Sequence, residues 1–367
     1  MAKNTKQDIT LNLQQAKARL DKLISKGRVH LYKPIQIAEI LYRNRVHKDI
    51  DLSQIDTYRR HSTRWRNAVC PRLVGKVPVL NSRYEDQMFD HGMMSPDILV
   101  LLGKENKDGA FPGIVESYIY NKVKERLSPL TNMLHELENT KASQFSLSQF
   151  LGYFENDKRL KRSIDKIYEI IVYALFDTLT KYLKATVTLS VDTSKRKILI
   201  DFEKFANLVL GLDKEHLSIT QPARLFRFGV TNAADTGLDM WANFGPAIQV
   251  KHITMDETDV VEIHQNIMAD KIVIVCKMVE KSKIESIIKQ LGLGEKIRGF
   301  ITEKDLIEWY KKCTSTEYEN SLGKDVIGAI IKEFKLEFPL TTVSEIDKFF
   351  KERGYSQIPE NTIWSGA

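Results

Sequence analysis

Between Gly237 and Lys251 the chain reads Gly237-Leu238-Asp239-Met240-Trp241, then a Phe244-Gly245-Pro246 turn, then Ile248-Gln249-Val250-Lys251. Two short apolar runs around a glycine-proline turn predict a β-hairpin. Side chains alternate along a strand with period two, so Gln249 and Lys251 share one face while Ile248 and Val250 take the other. Asp239, near the start of the first strand, is expected on the side of Gln249 and Lys251. A carboxylate, a second oxygen ligand and a lysine converging on one point suit metal-assisted hydrolysis of a phosphodiester. The oxygens hold a hard cation such as magnesium, and the ammonium orients or activates an attacking water. DNA cutting is the chemistry this arrangement favours. As plain structure, Asp239 would be a turn residue and Lys251 an exposed strand lysine.

The elements around the hairpin constrain the fold further. The apolar spacing predicts a long helix over 164–183, a hairpin-like pair over 186–191 and 197–201, a short helix near 202–210 and a strand over 225–230. After the motif come a helix at 257–268, the strongly apolar strand 271–276, a helix at 284–291 and a strand at 299–302. The C-terminal end is helical and charged. This order predicts an α+β region over 151–367, a mixed sheet flanked by helices. Within the long helix, Glu169 stands among Ile167, Tyr168, Ile170, Ile171 and Val172. A carboxylate in so apolar a helix is costly unless paired or bound to a cation, which makes Glu169 a candidate metal ligand. A salt bridge to Lys166 or Arg162 is the plainer alternative, and Glu116 is a competing helical acid. Asp235 is a further candidate if the first hairpin strand begins early. His252, on the strand face opposite Lys251, is read as packing.

The first 150 residues read as mainly helical, with helices over 11–24, 34–42, 115–127 and 130–138 and a loop-rich stretch over 75–112. Asp51-Leu52-Ser53 offers caps for a helix running through Tyr58 to Arg66. On one helix Arg59, Thr63 and Arg66 would share a face, flanked by Arg60 and Arg64. Two short helices and an arginine-rich third resemble a helix-turn-helix, so these five residues are the candidate DNA contacts. Charge agrees: residues 1–70 hold 15 Lys/Arg against 6 Asp/Glu, and the remaining 297 hold 40 against 42, so the whole excess of the +7 chain lies at this end. Such concentration favours a phosphate-backbone partner, although a solvated helical surface also accounts for it.

Cys70, Cys276 and Cys313 are too few and too scattered for a metal pattern and read as reduced thiols. No apolar run reaches the roughly 18 residues a membrane helix needs, and the polar Met1-Ala2-Lys3-Asn4 start is no signal peptide, so a cytoplasmic location is expected.

The order helix, strands, motif hairpin, helix, strand resembles the core of the PD-(D/E)XK nucleases, with Asp239, Gln249 and Lys251 carrying the motif and Glu169 the acid such nucleases often add from the preceding helix. The segments 26–41, Gly103-Lys104-Glu105-Asn106 and 168–176, together with Gln249-Val250-Lys251, resemble the HaeII type of type II restriction endonuclease from about residue 11 onward. That resemblance implies double-stranded DNA as substrate, Mg2+ as cofactor, a homodimer acting on a palindrome and a DNA methyltransferase as genetic counterpart. It raises RGCGCY as the expected site. The family's third motif position is usually Asp or Glu, and here it is Gln249. A neutral amide oxygen adds no charge, so a single-metal site leaning on Asp239 and Glu169 is expected. A repair or mobile-element endonuclease of the same fold, and a non-cutting DNA-binding regulator, are the alternatives.

Overall fold

The computed structural model describes residues 12–27, 31–78, 88–90, 92–158, 160–228, 238–279, 288–290, 292–338, 343–359 and 364. Asp235, residues 229–230 of the expected 225–230 strand, and residues 284–287 and 291 of the expected 284–291 helix lie outside them. The chain forms two compact units. One comprises Met1–Glu136, Asp157–Ser163 and Phe338–Ala367, and the other comprises Leu137–Asn156 and Ile164–Glu337. The C-terminal segment thus belongs with the N-terminal helices.

The first unit contains α1 (Leu13–Lys26), α2 (Tyr32–Tyr42), α3 (Ser62–Val74), α4 (Pro96–Asp108) and most of α5 (Ile114–Asn139). Asn12 caps α1 in a reciprocal box with Gln15. In α2 every residue from Pro34 to Leu41 is buried, so it is the central helix of this core rather than an amphipathic surface element. Its two long polar side chains are satisfied internally: Gln36 donates to Ser62 Oγ at 2.8 Å, and Glu39 accepts from Tyr120 and Arg353. Arg353 also lies over the Tyr42 ring at 3.4 Å, which ties the C-terminal segment to α2.

Three expectations for this unit change. The helix expected through Tyr58–Arg66 starts only at Ser62. Asp51 spends its carboxylate on Ser53 N, Ser53 Oγ and Gln54 Nε2, and Thr57 Oγ1 donates to the Asp51 carbonyl, so the cap residues close a tight Asx turn instead of opening a helix. The loop-rich stretch 75–112 contains α4, for which Pro96 supplies a preset first turn. The two helices expected over 115–138 are one, α5, despite Pro129. Around that break the hydroxyls of Ser128 and Thr131 donate to the carbonyls of Lys124 and Leu127.

The second unit is α+β. Its main sheet has strand order β3-β4-β5-β6-β7, built from β3 (Leu225–Arg227), β4 (Met240–Ala242), β5 (Ala247–Met255), β6 (Ile272–Val279) and β7 (Ile297–Thr302). The β3-β4-β5 meander is antiparallel, while β5, β6 and β7 are parallel, which makes the sheet mixed as expected. Helices cover both faces. Among the helices of this unit are α6 (Leu147–Asn156), α7 (Ile164–Tyr182), α8 (Arg196–Asp201), α9 (Glu257–Asn266), α10 (Glu303–Cys313) and α11 (Lys324–Glu337). Val260 and Ile263 of α9 pack with Ala247, Ile272, Ile274 and Cys276. Tyr168 of α7 meets the His252 ring, which has the parity of Ile248 and Val250 on the other face. Tyr168 also donates to the Cys276 carbonyl at 3.1 Å, and Tyr310 of α10 to the Ile171 carbonyl at 2.7 Å, pinning α7 in place.

The expected hairpin of 186–191 with 197–201 is not formed. β1 (Thr186–Ser190) pairs instead with β2 (Ser218–Pro222) in a separate two-stranded sheet. Asp192 accepts from Ser194 N at 2.8 Å and starts a helical turn, so Ile198, Leu199 and Ile200 enter α8. Three consecutive apolar residues fit a helix as well as a strand, and the cap decides.

Candidate active site

The hairpin forms as the sequence predicts, with Met240 opposite Ile248 and Trp241 opposite Ala247. Asp239 lies one residue before β4, and its main-chain carbonyl accepts from Phe228 N at 2.9 Å, which continues the ladder toward β3. Its side chain crosses to β5, where Oδ2 accepts from Gln249 Nε2 at 2.7 Å and from Val250 N at 2.8 Å. Gln249 is almost fully buried, and its Oε1 has no hydrogen-bond partner. Lys251, two residues on, is exposed. Asp239 and Gln249 therefore meet directly, and Lys251 shares the strand face of Gln249.

Glu169 reaches the same neighbourhood from α7. It is 5 % exposed, and Lys166 Nζ donates to its two oxygens at 2.7 and 2.8 Å. Arg227 Nη1 of β3 stands 3.8 Å away. That guanidinium is itself held by Glu333 and Glu337 of α11, at 3.1 and 3.2 Å. Burial pushes the Glu169 carboxyl up to about 7, and the Asp239 charge adds to the rise, while Lys166 and Arg227 oppose it. Burial likewise raises Asp239, against the Val250 N–H, Lys166 and Lys251. A buried and a half-buried carboxyl in one neighbourhood, each made harder to ionise, store an affinity for a positive charge. The salt bridge to Lys166 is formed, and it leaves that electrostatic deficit only partly compensated.

Among the described residues no group of three or more His, Cys, Asp or Glu could hold a metal ion. The available donors are the two carboxylates of Asp239 and Glu169 and the amide oxygen of Gln249. They fit a hard cation on one specific ground. Gln249 Oε1 is a buried acceptor without a donor, beside a carboxylate already used on one oxygen.

The other candidates are placed differently. Glu116 belongs to the first unit, fully buried, and accepts from Arg45 at 2.8 and 3.0 Å, Asn106 at 2.6 Å and Tyr355 at 2.6 Å. It is a saturated structural carboxylate. His252 packs edge-on to Tyr168, its ring centroid 4.9 Å away, with Nε2 between Glu155 and Glu303 at 3.4 and 3.5 Å.

The five expected DNA contacts do not share one helix face. Arg66 is buried, donating to Gln36 Oε1 at 3.1 Å and to Asn67, so its charge serves the core of the first unit. Arg59 precedes α3 and forms a forked pair with Asp90 at 3.0 and 3.1 Å. Thr63 is half-buried, while Arg60 and Arg64 are exposed. Arg64 shares its surface with His61 and Trp65, which stack at 6.2 Å, and with Arg43, whose guanidinium lies 4.8 Å over the Trp65 ring.

Lys166 was visible in the sequence only as a possible partner of Glu169. Arg227 gave no signal, because the acids that hold it are 106 and 110 residues away.

A mixed sheet flanked by helices, whose antiparallel hairpin brings Asp239 onto the Gln249 amide, is consistent with an α+β nuclease fold. The family profile described as HaeII restriction endonuclease matches residues 16–355. The type II restriction enzyme HaeII of Haemophilus aegyptius is 44% identical over 346 residues, covering 94% of this chain and 98% of that protein. The type II restriction enzyme NgoBI of Neisseria gonorrhoeae is 44% identical over 351 residues, covering 95% and 98%. The chain belongs to the HaeII restriction endonuclease family. No solved structure matches it.

Proposed function

We propose that the chain is a type II restriction endonuclease with a PD-(D/E)XK-type site that hydrolyses one phosphodiester in each strand of double-stranded DNA, leaving 5′-phosphate ends. The observation that carries this reading is the Asp239–Gln249 contact beside Glu169, with Gln249 Oε1 left without a donor. Asp239, Glu169 and the Gln249 amide oxygen would hold Mg2+. When bound, the ion supplies positive charge at the scissile phosphate and acidifies a water. The Asp239 carboxylate is kept in register by Val250 N–H and the Gln249 amide, so little reorganisation is needed on loading. Lys251, exposed on the same strand face as Gln249, aligns the attacking water and offsets the negative charge that develops on the phosphate. Lys166 neutralises Glu169, and with a cation held there its ammonium would be available to a phosphate oxygen.

The helical N-terminal unit is the DNA-reading part in this proposal. Arg60 and Arg64 offer exposed guanidiniums, and the Arg59–Asp90 pair is solvent-facing enough for a phosphate to replace the aspartate. Thr63 lines the same helix start, and Arg66 acts by positioning it. A palindromic site, with RGCGCY the expectation, is matched by a two-fold homodimer. A methyltransferase is the genetic partner, and the cytoplasm is the compartment. Among the described residues no helix is long and apolar enough to cross a membrane.

Digestion of a plasmid in Mg2+ tests the proposal. Wild type should give discrete fragments with 5′-phosphate ends, and Lys251→Ala should lose cutting by at least about a thousandfold while still shifting the same DNA. Normal cutting by Lys251→Ala would overturn the site, and binding without any cutting by wild type would make the chain a regulator.

A further inference from the structure

The excursion between β1 and β2 is the most apolar exposed surface among the described residues. Ile198, Phe202, Phe205, Leu208 and Val209 are each 54–75 % exposed. Ile198 lies on α8, which ends at Asp201, and Phe202, Phe205 and Val209 follow on the helical turns Glu203–Phe205 and Ala206–Leu210. The inward side is complete without them: Leu199, Ala206 and Leu212 are buried together, with Val191, Leu217 and Ile219 packed around. The segment therefore holds its own small core and presents a second apolar face outward. Leu183, Leu189 and Ile200 are exposed in the same region.

We infer that this outward face of residues 183–222 is the surface through which two copies of the chain associate. The inference rests on the dimeric reading above and says where the contact lies. Area supports it: the five side chains from Ile198 to Val209 that are more than half exposed present on the order of 600 Å², the top of the ~300–600 Å² range of a typical monomer's largest patch and most of one partner's share of a standard-size interface. Charge supports a second copy over DNA. Residues 183–222 hold six Lys/Arg and five Asp/Glu, a near-neutral segment in a +7 chain, and both signs lie close to the apolar patch in sequence at Lys195, Asp201, Glu203 and Lys204. A near-neutral mixed-charge rim around an apolar patch is self-complementary across a two-fold axis, whereas a DNA surface would carry the excess of basic residues.

Sedimentation velocity on the full-length protein tests this, with plasmid digestion on the same preparations. Wild type should sediment at twice 42.3 kDa. The double variant Phe202→Ser/Val209→Ser should dissociate at least about a hundredfold more readily, on the scale of hot-spot truncation. Met268→Ser, at an exposed methionine elsewhere in the second unit, should stay dimeric. Circular dichroism checks folding, and Val209→Lys alone carries the test if the double variant does not fold. Monomeric wild type with and without DNA, or a folded variant that stays dimeric, overturns the inference. A variant of unchanged mass that binds DNA more weakly assigns the face to DNA and overturns it too. Because mass and cutting are read separately, a monomer that cuts removes this interface alone, and a dimer that never cuts removes the nuclease reading alone.

Discussion

Glu116 and Glu169 look alike in the sequence, since each is a glutamate within an apolar helical run. The structure separates them by their partners. Glu116, in the first unit, receives two bonds from Arg45 and one each from Asn106 and Tyr355, so its desolvation is repaid. Glu169, in the second unit, receives only Lys166 directly and faces the Asp239 charge, so its carboxyl is raised to about 7. A saturated buried carboxylate is architecture. An under-compensated one beside a second carboxylate has capacity left for a ligand, and that difference marks the site.

The largest expected effect breaks the first half of the comparison. Glu116→Gln should cost about 3–5 kcal/mol of stability, because Arg45 is left half-buried without its counter-charge. Chemical denaturation measures this, and at temperatures where the variant remains folded its cutting should stay within a few-fold of wild type. Glu169→Gln should do the reverse, with cutting lowered at least about a hundredfold on loss of a ligand charge. Apo stability at pH 8 should rise by about 1 kcal/mol, less than the roughly 3 kcal/mol a rise from 4.5 to about 7 implies, since Lys166 and Arg227 lose a charged partner. The sign follows from the raised carboxyl: its destabilising contribution accumulates as pH rises from about 4.5 to about 7, so the gain should shrink in thermal melts at pH 5.

The same carboxyl sets how the site responds to pH. With Glu169 as the proposed ligand, a proton on it below about 7 would compete with the cation, so Mg2+ affinity by calorimetry without DNA should fall up to about tenfold per pH unit toward pH 5. A flat profile would mean that Glu169 is not a ligand. The smallest effects belong to the first unit's surface. Arg60→Ala and Arg64→Ala should each weaken DNA binding several-fold and lower the salt slope by about 1, measured by titration at several salt concentrations. Unchanged slopes would move the DNA contact elsewhere.

Local signals explain what could be read in advance. The motif hairpin was legible because strand alternation and a glycine-proline turn act over a few residues, and the structure forms it with Asp239 on Gln249. The long helix and the apolar strand were legible for the same reason. The arginine-rich helix was misplaced because Asp51 closes an Asx turn, and the pair 186–191/197–201 because a cap at Asp192 outcompetes strand pairing. Arg66 looks like Arg64 in a string of letters, and only the packing of Gln36 and Asn67 around it removes it from the surface.

The sequence by itself determined the apolar periodicities, the residue types and spacing of Asp239, Gln249 and Lys251, and the basic excess of residues 1–70. These are properties of neighbours along the chain, or of composition. Tertiary structure alone decided which glutamate is satisfied and which is not, that Arg227 is clamped by Glu333 and Glu337, and that Gln249 Oε1 is buried without a donor. Each depends on groups brought together from distant positions, where burial removes water and the count of remaining partners sets the chemistry.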